Sequence, residues 1–128
     1  MIRKMEHVAI IVNDMDTSIG YYEDLFGFVL RLRGSNDIRE MAFLYLPDTP
    51  DVEIELIRDL NPTETYAEIS VVNHLAFTVD NIEETITAFQ DKGIAFLSEQ
   101  TKPTLDGGKM ILFKGPSGEM LQLVERGK

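Results

Sequence analysis

A chain of 128 residues, 44% of them hydrophobic, is long enough for one compact domain with a core, and this composition argues against disorder. A formal charge of −10 disfavours nucleic acid as a partner, and the lack of cysteine excludes a disulfide framework, a thiolate metal site and a cysteine nucleophile. No apolar run reaches signal-peptide or membrane-spanning length, so the expectation is a cytoplasmic protein with no membrane partner.

Met5 to Asn13 is rich in β-branched and apolar residues and predicts a first strand. Asp16 to Phe26 sets Ile19, Tyr22, Leu25 and Phe26 at helical spacing, and Gly27 ends that helix. Three strands follow, at about 28–33, 41–46 and 52–58, with a turn from Pro47 to Asp51. Asp59 to Ser70, with Asn61-Pro62-Thr63, is the linker. A strand over 72–79 then leads into a helix with Ile82, Ile86 and Phe89 on one face. Asp80 and Glu83 are placed for a capping box, and Gly93 closes the helix. Strands over 94–97, 109–113 and 120–125 complete the chain.

The second series repeats the first. Laid so that His7 meets His74, the segment Glu6 to Val12 falls on Asn73 to Val79. Asp16, Ile19 and Tyr22 then fall on Glu83, Ile86 and Phe89. The register slips by one near Gly27 and Gly93 and returns, so that Phe43 to Leu46 meets Met110 to Phe113 and Ile54 to Ile57 meets Leu121 to Val124. The expected fold is α+β. Two tandem βαβββ modules, over residues 5–58 and 71–126, form a curved mixed sheet around a cleft within a single domain. Each module alone is too small to be stable, so the two should pack together.

The histidines of this chain, His7 and His74, occupy equivalent repeat positions. Glu55 and Gln122 form a second matched pair. Each is a polar residue between apolar neighbours in a strand, so it points to the face its neighbours avoid. Two imidazoles, a carboxylate and an amide oxygen suit a divalent transition metal such as Ni²⁺, Zn²⁺, Mn²⁺ or Fe²⁺. Glu53 shares Glu55's strand face and competes with it as the carboxylate ligand. Taken singly, each histidine reads as a core or rim residue; the matched set is what points to a metal. Gly115-Pro116-Ser117-Gly118 lacks the spacing of a nucleophile elbow, and Gly107-Gly108 has no dinucleotide fingerprint around it.

Five segments together resemble the glyoxalase-type vicinal oxygen chelate family: HVAIIV (7–12), SIGYYEDLFGF (18–28), IELI (54–57), HLAFTVDNI (74–82) and GPSGEMLQLVE (115–125). The resemblance covers almost the whole chain. It implies paired βαβββ modules around a metal and substrate cleft, commonly in a homodimer, with metal ligands at His7, Glu55, His74 and position 122. The family includes lactoylglutathione lyases, methylmalonyl-CoA epimerases, extradiol dioxygenases, fosfomycin-modifying transferases and metal-free drug-sequestering proteins. It usually has glutamate where this chain has Gln122, and aspartate where it has Gly115. An amide oxygen can coordinate a metal but cannot accept a proton as a carboxylate does. The implied function is a metal-dependent lyase or isomerase acting on a small-molecule substrate through an enediolate, with Glu55 as the remaining general base. The alternatives are an Fe²⁺ extradiol-type dioxygenase using His7, His74 and Glu55, and a non-catalytic drug-binding protein of the bleomycin resistance type.

Overall fold

The computed structural model describes residues 3, 5–61 and 74–127. The chain divides into two compact units, Met1–Ser70 and Val71–Lys128. Most of the expected linker, 62–70, and the start of the strand expected over 72–79 lie outside the described residues.

In the first unit β1 (His7–Ile11) leads into helix α1 (Met15–Tyr21), followed by β2 (Val29–Ser35), β3 (Arg39–Tyr45) and β4 (Glu53–Asp59). Asp14 caps α1 by accepting a hydrogen bond from the Thr17 backbone N–H at 2.9 Å. The helix does not run on to Phe26 as one α-helix, because Tyr22–Phe26 widens into a π-helical turn. That turn gathers Tyr22, Phe26 and Phe28 into edge-on and tilted ring contacts with centroids 5.4–6.3 Å apart. Gly27 ends it with φ 81°, a left-handed conformation that a side chain would disfavour.

The sheet order is β1-β4-β3-β2, with β1 parallel to β4 and the other pairs antiparallel. The strand period of two sorts its side chains. Ala42, Leu44, Ile54 and Leu56 are buried with Met15, Ile19 and Tyr22 of the helical segment. His7, Ala9, Phe43, Tyr45, Glu53 and Glu55 belong to the opposite face, because register partners share a side.

The second unit repeats this plan with β5 (Leu75–Thr78), helix α2 (Ile82–Asp91), β6 (Lys102–Pro103), β7 (Lys109–Lys114) and β8 (Met120–Glu125), in the order β5-β8-β7-β6. Three expectations need correction here. The cap of α2 is Asn81, whose side chain accepts from the Glu84 backbone N–H at 3.1 Å, so the capping pair lies one residue beyond Asp80 and Glu83. No strand forms over 94–97. Phe96 makes an isolated bridge to Phe113, and pairing with β7 falls instead to Lys102–Pro103. Phe96 is held by its ring contacts with Phe89 and Phe113.

The third correction concerns register. Phe43 pairs with Glu55, whereas Leu112 pairs with Gln122. Leu112 therefore stands where Phe43 stands, and the expected match of Phe43 to Met110 is two residues out. The cause is the hairpin loop, which spans 46–52 in the first unit and only 115–119 in the second. A shift of two keeps every side chain on its expected face. Among the described residues, no helix is long and apolar enough to cross a membrane.

Candidate functional site

Candidate site residues of the first unit share the open face of its sheet, the face turned away from α1. His7 is the first residue of β1, and the parallel register sets it beside Glu53 and sets Ala9 beside Glu55. The imidazole Nε2 approaches Glu55 Oε1 at 3.4 Å. Its Nδ1 faces Glu6 Oε1 at 3.3 Å. Both ring nitrogens of His7 thus meet a carboxylate. The side chain of Glu55 is only 12% exposed, because Ile54 and Leu56 anchor its strand in the core. Phe43 closes one side of the imidazole with an edge-on contact at 5.9 Å.

Glu53 has a different partner. Its two oxygens accept from Arg31 Nε at 2.6 Å and Arg31 Nη2 at 2.7 Å, a bidentate pair. The question of which carboxylate stands beside the histidine is thereby answered. Both lie on the open face, Glu53 is committed to Arg31, and Glu55 is directed at His7.

The His7–Glu55 pair fits a divalent ion. Two ligands at the usual bond lengths of about 2.0–2.2 Å from one ion come within about 3–3.5 Å of each other. A histidine ligand also characteristically offers its other ring nitrogen to a carboxylate, the part Glu6 plays here. The matching residues of the second unit lie at equivalent places. His74 directly precedes β5, and Ala76 pairs with Gln122 as Ala9 pairs with Glu55. Their surroundings differ. Gln122 shares its face with Met110, Leu112, Met120 and Val124, and with Lys114 at the end of β7. Among the described residues, no group of three or more histidine, aspartate or glutamate side chains able to hold a metal occurs. The structure therefore brings His7 and Glu55 together as one half of the expected set and leaves His74 and Gln122 on their own sheet.

The back of the first sheet carries a separate polar cluster. Glu40 accepts from Arg33 Nη2 at 2.9 Å and Arg58 Nε at 3.1 Å, and Arg33 also reaches Asp16 at 2.7 Å. The Arg33 hydrogen bond, with Arg58 adding to it, holds the Glu40 carboxyl below its ordinary range. A cavity of about 290 Å³ adjoins these residues, and a larger one of about 430 Å³ lies along α2 beside Glu83, Glu84 and Asp91. Neither is lined by His7, Glu55, His74 or Gln122.

A model of the Glyoxalase/Bleomycin resistance protein/Dioxygenase superfamily matches residues 4–123. The chain belongs to this superfamily. It is 32% identical to the uncharacterized protein YwbC of Bacillus subtilis (strain 168), an alignment covering 98% of this chain and all of that protein. It is 27% identical to the lactoylglutathione lyase of Salmonella typhimurium, over 95% of this chain and 92% of the lyase. Among solved structures, a glyoxalase family protein from Enterococcus faecalis superposes with a TM-score of 0.78 at 28% identity, covering 96% of this chain and 98% of the other. The superfamily and the fold of paired βαβββ modules are thus established.

Glu6 and Arg31 were not singled out from the sequence. Glu6 was legible in principle, since a carboxylate next to a candidate histidine ligand can reach its second ring nitrogen. Arg31 was not, because its partner Glu53 lies on another strand and spacing within β2 does not reveal it.

Proposed function

We propose that this superfamily member is a metal-dependent lyase or isomerase of the glyoxalase type, acting on a small substrate that presents two adjacent oxygens. In this reading His7, Glu55, His74 and Gln122 hold one divalent ion, within a chain or across a two-fold homodimer. The observation that carries it is the convergence of His7 Nε2 and Glu55 Oε1 on an open sheet face, with a repeat-matched imidazole and amide in the second module. When bound, a divalent ion would supply Lewis-acid polarisation of the substrate oxygens. Glu55 takes a proton from the hydroxyl-bearing carbon beside a substrate carbonyl and returns it to the carbonyl carbon, while the hydroxyl proton passes to the former carbonyl oxygen, an isomerisation that needs no oxidant. Glu6 fixes the His7 tautomer and ring orientation. Gln122 can donate an oxygen to the ion but cannot serve as the base, so proton transfer falls to the first module.

Metal analysis of freshly purified protein, joined to turnover of the methylglyoxal–glutathione adduct by wild type and Glu55→Gln, tests this reading. The expected result is bound metal and turnover in wild type, with both reduced in the variant. A protein that neither carries nor takes up Ni²⁺ or Zn²⁺ overturns it. One observation favours a second reading in that case: the apolar side chains around Gln122 suit retention of a small molecule without chemistry. The homodimer is checked by light scattering, with a monomer at working concentration counting against it.

A further inference from the structure

We infer that Arg31 is a ligand-anchoring residue, selecting substrates that carry a carboxylate about one aromatic ring's width from the metal-binding end; this rests on the metal-site reading above. Three features of the first sheet support it. The guanidinium lies over the Phe43 ring at 5.5 Å, and the same ring meets His7 at 5.9 Å, so a single side chain separates Arg31 from the imidazole. Glu53 occupies only the Nε and Nη2 edge of the guanidinium. A guanidinium has five N–H donors, and the Nη1 and Nη2 edge forms a second fork that matches another carboxylate. Half of the side chain is exposed, so that fork is reachable.

The third feature is the backbone. Pairing of β2 with β3 slips between Leu30 and Leu32, leaving Arg31 as the extra residue of a β-bulge opposite Phe43. Val29 pairs with Tyr45 on the open face, so strand alternation puts Arg31 on the face that bears His7 and Glu55, and the bulge then sends Arg33 to the back of the sheet. Glu53 then fixes the direction. Its side chain is only 13% exposed, so it holds the guanidinium from below and leaves the outer edge facing away. A surface ion pair serving stability alone contributes little and has no need of this placement. On a chain of charge −10, a fixed cation beside the candidate metal ligands is also what an anionic substrate requires.

The test uses two hydroxamic acids on Ni²⁺-loaded protein. Both bind metal through adjacent oxygens; one has a terminal carboxylate and the other the corresponding neutral amide. Affinities are measured by calorimetry for wild type, Arg31→Met and Arg31→Lys. The expected result is a preference of about tenfold for the carboxylate in wild type, the scale of one charge-assisted contact. Arg31→Met should abolish the preference and leave amide binding unchanged. Arg31→Lys keeps Glu53 paired and so protects folding; it should retain a reduced preference, because an ammonium cannot present the fork. Equal affinities in wild type, or a full preference in either variant, would overturn the role of Arg31 while the metal site stands. Failure of the amide compound to bind would remove the metal site itself, and this inference with it.

Discussion

Strand β4 and strand β8 hold the same place in their sheets, and their buried sides are built alike. Ile54 and Leu56 in one, Leu121 and Leu123 in the other, are all at most 5% exposed. Met15 and Ile82 open the two helical segments from equivalent buried positions, and Tyr22 and Phe89 fill the same place beneath them. The open sides have diverged. The first presents Glu53 and Glu55 with Arg31 and His7, and the second presents Gln122 among Met110, Leu112, Met120 and Val124, with Lys114 at the end of β7. Even the sheet corners differ in sign. Glu40 pairs in register with Arg58, whereas Lys109 pairs with Glu125, and Lys109 also reaches Glu83 of α2 at 3.2 Å. A duplicated module thus keeps the face that folds it, because packing tolerates few changes there. Its open face is free to specialise. In this chain the carboxylates Glu53 and Glu55, with Arg31 and His7, have collected on the open face of the first copy.

That division predicts a hierarchy of effects. The largest belongs to Glu55→Gln, which removes the proton acceptor of the proposed set; turnover should fall by about 10²–10⁴-fold, read from steady-state kinetics with metal supplied in excess. A smaller loss would mean that the second module carries more of the chemistry than its residues suggest. Next come the buried positions, where the copies should behave alike. Leu56→Ala and Leu123→Ala should each cost about 2–5 kcal/mol in urea unfolding. A marked difference between the two would show that the buried sides are less equivalent than their burial.

Gln122→Glu is the direct attempt to erase the difference between the open faces. A second carboxylate neutralises more of the ion's charge, so metal affinity should rise about tenfold, or ~1.4 kcal/mol, in a competition titration against a chelator. Unchanged affinity would place residue 122 outside the ligand set. The smallest effect concerns the corner at Glu40. Its folded-state carboxyl is held below the ordinary value of 4.5 by Arg33 and then Arg58. The stability it contributes is complete above that ordinary value and is lost as pH falls through the lowered one. Glu40→Gln should destabilise by about 1 kcal/mol at neutral pH, with the gap to wild type closing in acid. A gap that widens on acidification would give the ion pairs the opposite sign.

The repeat, and the alternation that sets Glu55 and Gln122 apart from their apolar neighbours, could be read from the chain alone. Strand alternation is a local rule, and matched histidines in a repeated segment carry their own internal control. A hairpin loop two residues shorter left those assignments intact, because the strand period is also two. Other features depended on contacts distant in sequence. The bulge that sends Arg33 to the back of the sheet, the commitment of Glu53 to Arg31, and the replacement of an expected strand at 94–97 by β6 are each decided by which strand lies alongside. So is the choice between two adjacent carboxylates. Glu53 and Glu55 are indistinguishable by spacing, and only the position of a cation on a neighbouring strand makes one a structural anchor and leaves the other facing the imidazole.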